Sequence, residues 1–193
     1  MLALPRAFYE RPTVAVARDL VGKVLVRERR GRRLRARIVE VEAYLGEKDA
    51  ASHARRGPTP RAAIMFGPPG FVYVYLIYGM YHCMNFVTER DGVAGAVLIR
   101  AAEPLDGGDP KVWRGPGKLC RGLEVTLADK GADLTAPDAG LYVIDDGAPR
   151  PRIGRSPRIG VDYAGKWAER HLRFFVPGHA SVSGARIRTG RSA

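Results

Sequence analysis

An uncharged, tyrosine-rich stretch limits the folds open to this chain. No Asp, Glu, Lys or Arg occurs between Arg61 and Glu89, and residues 71–87 are strongly apolar. A membrane-spanning helix would be mostly aliphatic, whereas this segment carries four tyrosines, His82 and Asn85, with Gly79 in its middle. Aromatic and apolar runs on both sides of a glycine are typical of two short strands and a turn. The segment therefore predicts a β-hairpin over about residues 71–88 and no membrane partner.

The tip of this hairpin has the sequence Tyr78-Gly79-Met80-Tyr81. Glycine at the first central position favours a two-residue type II′ turn, in which Tyr78 and Tyr81 would face each other. On a basic protein such a tip is a candidate wedge for a stack of bases. Tyrosine is also a common strand residue whose ring packs in a core, and the residues alone leave both interpretations open.

The rest of the chain alternates short apolar runs with turn signals, and it contains no internal repeat and no linker. This pattern predicts a single α+β domain over residues 1–193, built on an antiparallel sheet, with a basic tail at about 184–193. The predicted strands are 24–26, 38–44, 94–100, 141–144, 153–159 and 172–175 besides the hairpin. The predicted helices are 14–21, 118–123 and 162–169, and the predicted loops are 46–70 and 106–116.

The charge balance favours a polyanionic partner. The chain has 32 Lys and Arg against 20 Asp and Glu, a net charge of +12. Such a field attracts nucleic acid, although an acidic membrane surface or a solvated basic face would also account for it. Cys83 and Cys120 form no CxxC pair and fit reduced thiols. Because no signal peptide is visible, we expect a soluble, cytoplasmic protein.

One strand carries two carboxylates on one face. Side chains two apart on a strand point the same way, so Glu40, Glu42 and Tyr44 lie opposite Val39, Val41 and Ala43. A strand that forms the floor of a polar site has this pattern, and so has an antiparallel strand with one solvated face. Ile38 has the wrong parity, so the alternation holds only over the second half.

Several other sites are excluded by their motifs. The segment Gly115-Pro-Gly-Lys118 is followed by leucine rather than Ser or Thr, so it is no phosphate loop. The chain has no His-x-Glu with a downstream CxxC, no Gly-x-Ser-x-Gly elbow, and no metal-ligand spacing among its four histidines. We therefore expect no metal and no cofactor.

Longer motifs occur in a fixed order along the chain. They are IVEVEAYLG at 38–46, His53, YVYLIYGMYHCMN at 73–85, VLIRAAEPL at 97–105, GPGKLC at 115–120 and RIGV at 158–161. Together they resemble the alkyladenine (3-methyladenine) DNA glycosylase family over roughly residues 5–183. The resemblance implies a curved antiparallel sheet with flanking helices and a protruding hairpin, and a base-excision-repair enzyme that acts on double-stranded DNA.

The resemblance also implies roles for residues that would surround a damaged base. Glu42 matches the general base that deprotonates a water, and Arg100 matches a cation beside that water. Tyr44, His53 and Tyr75 match side chains that contact the flipped base. Asn85 matches the residue that disfavours the exocyclic amino group of guanine.

Four further residues match positions that touch the DNA itself. Tyr78 matches the side chain inserted into the duplex where the base has left. Met80, Tyr81 and Lys118 match contacts to the DNA strand. The resemblance thus implies a monofunctional glycosylase that hydrolyses the glycosidic bond of an alkylated or deaminated purine and leaves an abasic site. We expect this enzyme to be a monomer.

Two hypotheses from other classes stay open on sequence alone. A non-catalytic binding domain for DNA or RNA could use the basic surface and the tyrosines for stacking. A small-molecule transferase or hydrolase could share the fold, because a fold does not fix a function. Glu42 distinguishes a glycosylase from a non-catalytic binding domain, since a protein that only binds DNA gains nothing from a carboxylate that faces a polyanion.

Overall fold

The computed structural model describes residues 2–184, and within them eight strands form one antiparallel sheet. The strands are β1 (Val24–Arg29), β2 (Arg32–Tyr44), β3 (Val72–Ile77), β4 (Tyr81–Val87), β5 (Ala96–Pro104), β6 (Leu141–Ile144), β7 (Gly154–Ser156) and β8 (Arg173–Phe175). The main order is β3-β4-β5-β2-β1-β6, while β8 pairs with β2 and β7. The predicted α+β class with an antiparallel sheet is confirmed. Most of the predicted basic tail, residues 185–193, lies outside the described residues.

Helices are short in this fold. They are α1 (Arg6–Tyr9), α2 (Thr13–Leu20) and α3 (Pro116–Gly122), and 3-10 turns occupy Gly46–Lys48, His53–Arg56, Ala63–Phe66, Leu127–Asp129, Pro137–Ala139 and Asp162–Trp167. The helix predicted over 162–169 is present only as 3-10 turns over Asp162–Trp167, because Gly165 interrupts that segment with a φ of +56°. The strand predicted over 153–159 shrinks to three residues. Across residues 2–184, every helix is too short or too polar to cross a bilayer.

Strand β2 pairs with three other strands and lies inside the sheet. One edge pairs with β5, and the other pairs first with β1 and then with β8. The strand begins at Arg32 rather than at the predicted residue 38, since the arginine-dense segment after Gly31 is extended. Its arginines bind acidic partners on neighbouring segments, as Arg35 does with Asp106 and Arg37 with Asp146. The reversal itself needs only Arg30 and Gly31, both with positive φ.

Two compensating irregularities divide the β2–β5 ladder. Ile38 pairs with Ala102 and Val41 with Ile99, while Val39 and Arg100 have no register partner between them. An extra residue in a strand reverses the alternation of side chains beyond it. Ile38 and Val41 therefore both point into the core, which explains the parity that the sequence pattern could not accommodate.

The principal core lies on one face of the sheet. Apolar side chains of α2 and α3 pack there against alternate residues of β2 to β5, among them Leu20, Leu119, Ile38, Val74 and Phe86. The opposite face carries a smaller apolar cluster under the segment 54–66, which includes Ala54, Met65, Tyr73 and Val87. Cys83 and Cys120 are buried, free thiols. Because the second face is only partly covered, it leaves room for a cavity.

The hairpin tip differs from the prediction. Its loop spans residues 78–80, and Ile77, not Tyr78, pairs with Tyr81. Tyr78 and Gly79 both have positive φ, and the Met80 N–H donates to the Ile77 carbonyl at 3.2 Å. Positive φ at both central positions is the type I′ arrangement, so the predicted type II′ turn is wrong. The consequence is that Tyr78 does not face Tyr81 and lies at the tip with 83% of its surface exposed.

Gly46 allows the loop after β2 to approach the start of β5. It has a φ of +67°, and a Cβ there would lie 2.2 Å from the Ala94 carbonyl oxygen. Gly31 has a similar φ of +73° but open space around it.

We expect Gly31→Ala to cost about 1 kcal/mol of unfolding free energy from backbone strain alone. Gly46→Ala should cost about 2 kcal/mol more, because the backbone contact must also open. Urea denaturation measures both, and equal losses would contradict this account.

Candidate active site

A cavity of about 390 Å³ lies on the sheet face opposite the principal core. Alternation along three strands builds it, since β3, β4 and β5 turn every second side chain away from the core. These side chains are Tyr73, Tyr75, Cys83, Asn85, Ala96, Leu98 and Arg100, and the segments 51–65 and 159–163 supply Ala51, His53, Arg61, Met65, Ile159, Gly160, Val161 and Tyr163. The volume is ordinary for a small-molecule site.

Glu42 is fully buried and is not itself a lining residue, but it contacts three residues that line the cavity, Tyr44, Arg100 and Ile159. One carboxylate oxygen, Oε1, accepts the Ile159 N–H at 2.8 Å, and the other accepts the Tyr44 hydroxyl at 2.9 Å. A guanidinium nitrogen of Arg100 lies 3.4 Å from Oε1. Burial and the charge of Glu42 raise the pKa of Tyr44, which keeps its hydroxyl a donor. Two donors and a cation therefore orient this carboxylate and compensate its charge.

Glu40, two residues earlier on the same face, holds Arg100 from the other side. It lies 3.2 Å from the Arg100 Nε and also accepts from the Arg173 Nε at 2.6 Å. The N–H and hydroxyl of Ser183 complete its contacts at 2.6 and 2.8 Å. Burial alone would lower the pKa of Arg100, but Glu42 and Glu40 outweigh it and raise that pKa. The two carboxylates thus share one arginine in a buried network.

His53 is packed into an aromatic wall. Its Nδ1 lies 2.9 Å from the Tyr73 hydroxyl, and its ring centroid lies 4.6 Å from that of Tyr75 in an edge-to-face arrangement. The Arg61 guanidinium lies 4.9 Å from the Tyr75 centroid. Burial, with a smaller contribution from Arg61, lowers the pKa of His53 to about 4. The imidazole is therefore neutral at neutral pH.

Asn85 is the polar group of β4 that faces the cavity. It is buried, and its side-chain amide donates to the backbone carbonyl of Tyr73 at 3.2 Å and, more weakly, towards that of Cys83 at 3.5 Å. In the ladder it lies between Tyr73 on β3 and Leu98 on β5. These neighbours fix its side chain in one orientation.

The residues expected to touch DNA surround the hairpin tip. Tyr78 lines the mouth of the cavity, and Met80 is 65% exposed beside it. The Tyr81 ring packs on α3, where a Cβ on Gly117 would lie 3.0 Å from it. Lys118, the next residue of α3, is exposed. The structure therefore brings all four predicted DNA contacts to the region of the hairpin and the start of α3.

Sequence reasoning gave no role to several residues of the site. It missed Arg61, which lies in a segment predicted to be loop, and the wall formed by Ile159 and Tyr163. Only the RIGV motif pointed to that wall. Within the described part of the chain, no three His, Cys, Asp or Glu side chains lie close enough together to share a metal ion.

The low pKa of His53 predicts a pH-dependent stability. Its value falls from 6.5 to about 4 on folding, so the unfolded chain binds a proton that the folded chain does not. The free energy of unfolding is therefore highest, as far as His53 is concerned, above pH 6.5, and it decreases as the pH falls towards 4. We expect His53→Gln to flatten the fall of unfolding free energy over this window, measured by urea denaturation at a series of pH values. His171→Gln, at an exposed position, is the control and should keep the wild-type slope.

Comparisons with known proteins identify the family to which this chain belongs. The family model described as methylpurine-DNA glycosylase matches residues 7–180. A protein of Anaeromyxobacter dehalogenans is 56% identical over 94% of this chain and 87% of its own length. One of Methanocella arvoryzae is 51% identical over 95% and 96%, and one of Legionella pneumophila (strain Corby) is 46% identical over 95% and 99%. All three carry the provisional name 3-methyladenine DNA glycosylase. This chain therefore belongs to the methylpurine-DNA glycosylase family and is a DNA glycosylase of DNA repair.

Proposed function

We propose that the cavity receives an alkylated or deaminated purine flipped out of duplex DNA, and that Glu42 activates the water that hydrolyses its glycosidic bond. The observation that carries this proposal is the position of the Glu42 carboxylate, fully buried beside an aromatic cavity and paired with Arg100. An ionisable group held in this way at a cavity is a strong candidate for chemistry.

The aromatic walls suit the proposed base. Purines methylated at N3 or N7 carry a positive charge, and a cation over an aromatic face gains roughly 0.5 to 2 kcal/mol. Tyr44 and Tyr75 are among the lining residues, and each has a guanidinium over one face, that of Arg158 and that of Arg61 respectively, so a bound base would take the other face. Because His53 is neutral at neutral pH, it adds no repulsion toward a cationic base.

The reaction needs only a water and a base. In our proposal Glu42 accepts a proton from a water whose oxygen attacks the anomeric carbon of the deoxyribose. The bond from that carbon to the purine nitrogen breaks, and its electron pair leaves with the purine. A purine cationic at N3 or N7 departs neutral, so it requires no acid. Hypoxanthine is neutral before cleavage, so it must take a proton from solvent water as the bond breaks. Arg100 orients Glu42 from its place between the two carboxylates. The product is an abasic site in an uncut strand.

Asn85 is the group we assign to discrimination against normal guanine. Its amide is held by two backbone carbonyls, so it cannot move aside easily for an exocyclic amino group. A bound base that leaves a buried polar group badly placed loses affinity. The rejection would therefore come from a rigid neighbour rather than from a tight cavity.

The hairpin is the element we assign to base flipping. Extrusion of a nucleotide costs about a few kcal/mol of lost stacking and pairing. Tyr78, exposed at the tip and at the cavity mouth, would fill the gap in the stack, while Met80, Tyr81 and Lys118 contact the strand. All these groups come from one chain, and we propose that the enzyme acts as a monomer.

The first test removes the proposed base. Glu42→Gln should keep binding a duplex that contains hypoxanthine or 7-methylguanine, while single-turnover release of the free base falls by at least about 100-fold. Glu103→Gln, a substitution of a half-exposed carboxylate on β5, should keep the wild-type rate. Full activity of Glu42→Gln would overturn the assigned role. Binding without release in the wild-type protein would favour the non-catalytic alternative.

The second test concerns the wedge. Tyr78→Ser should weaken capture of the flipped base, followed by the fluorescence of 2-aminopurine placed beside the lesion, because the gap in the stack stays open. Binding to undamaged duplex should change little. Leu127→Ser removes an exposed apolar side chain outside the hairpin and the cavity lining and should alter neither signal. Equal losses on damaged and undamaged DNA would contradict a wedge.

A further inference from the structure

A second buried ion pair lies behind the cavity wall. Arg158 binds Asp49 in a bidentate manner, with nitrogen-to-oxygen distances of 2.5 and 2.8 Å, and both side chains are fully buried. The Asp49 carboxylate also accepts the N–H groups of Leu45 and Ala51 at 3.0 Å each. The pair therefore ties Arg158 to the loop that follows β2.

Arg158 also contacts the end of β2 itself. The same guanidinium nitrogen that binds Asp49 donates to the Ala43 carbonyl at 2.9 Å. The guanidinium carbon lies 4.6 Å from the centroid of the Tyr44 ring, within range of a cation–π contact. One arginine thus fixes the backbone on one side of Tyr44 and one face of its ring.

The residue after Arg158 reaches Glu42 directly. The Ile159 N–H donates to Glu42 Oε1, and Tyr44 donates to Oε2. Both donors are connected to Arg158: Ile159 is the next residue along the chain, and the Tyr44 ring contacts the Arg158 guanidinium. A displacement of Arg158 would therefore alter both hydrogen bonds that orient the carboxylate.

Stability alone does not account for such a pair. Burying two charges costs about as much as their attraction returns, and apolar side chains of similar volume often serve as well. The specific value of this pair is geometric, since a planar guanidinium and a carboxylate define one orientation. Asp49 is also followed by the turn that carries His53, through the hydrogen bond from the Ser52 N–H to the Asp49 carbonyl. The pair therefore links two walls of the cavity.

We propose that Asp49 and Arg158 form a positioning pair that holds Glu42 and Tyr44 in their reactive arrangement. This inference rests on the proposed role of Glu42 as general base. Neither residue of the pair touches the substrate; they act through Ile159, Tyr44 and the backbone at Ala43.

Asp49→Asn tests the pair with little change of volume. Single-turnover release of hypoxanthine should fall by about 100-fold, because small misplacements of catalytic groups have effects of this size. Affinity for undamaged duplex should stay at the wild-type value. The pH–rate profile should differ from that of the wild type, because the hydrogen bonds that orient the proposed catalytic carboxylate have changed.

Asp129→Asn is the matched control. Asp129 forms a buried ion pair with Arg27 at 2.7 Å, and neither residue lines the cavity. It should lower the thermal stability as Asp49→Asn does, yet leave the rate and the pH–rate profile unchanged. Arg158→Lys keeps the charge but loses the bidentate geometry, so it should reproduce the rate loss and profile shift of Asp49→Asn.

The outcomes separate this inference from the proposed function. If Asp49→Asn folds and keeps the wild-type rate and profile, the positioning role is wrong even when Glu42→Gln is inactive. If Glu42→Gln is active, the proposed role of Glu42 is wrong, and the positioning role of Asp49 and Arg158 is wrong with it. Should Asp49→Asn fail to fold, Arg158→Lys carries the same readouts, and a wild-type profile in that variant overturns the proposal.

Discussion

The burial of two carboxylates near the end of β2 is the constraint on which the rest of the structure depends. A buried, unpaired charge costs several kcal/mol, so Glu40 and Glu42 require cations and donors from the segments around them. Arg100 comes from β5 on one side of β2, and Arg173 from β8 on the other. Ser183, near the end of the described chain, adds two donors. The strands that pair with β2 therefore also supply the cations of the site.

The charges beneath the cavity balance. Three carboxylates, those of Glu40, Glu42 and Asp49, meet three guanidinium groups from β5, β8 and the segment before Ile159. The net charge of +12 must therefore arise elsewhere in the chain. This separation lets one protein combine a basic exterior, which attracts a polyanion, with an acidic group that the polyanion does not meet directly. A carboxylate on the surface would oppose DNA binding, and burial removes that conflict.

The sequence predicted the parts of this molecule that depend on local patterns. The hairpin, the shared face of Glu40 and Glu42, and the α+β class follow from alternation and turn residues. The resemblance to a family added the individual site residues. What failed depends on context, as with the irregularity at Val39, where only pairing to β5 reveals the reversal. The bond between Asp49 and Arg158 spans 109 positions and has no local signature, because burial rather than spacing creates it.

The structure also supplies what the strand pattern lacked, a reason to prefer one carboxylate over the other. Two carboxylate oxygens offer about four lone pairs. Glu40 accepts four hydrogen bonds, three at Oε1 from Arg100, Arg173 and the Ser183 hydroxyl and one at Oε2 from the Ser183 N–H, so its Oε1 is saturated. Glu42 accepts two, with Arg100 at 3.4 Å as an ion pair. A general base needs a lone pair free to receive a proton. By this argument Glu40 serves to hold Arg100 and Arg173, and Glu42, with one hydrogen bond at each oxygen, is the carboxylate better suited to the proposed role of general base.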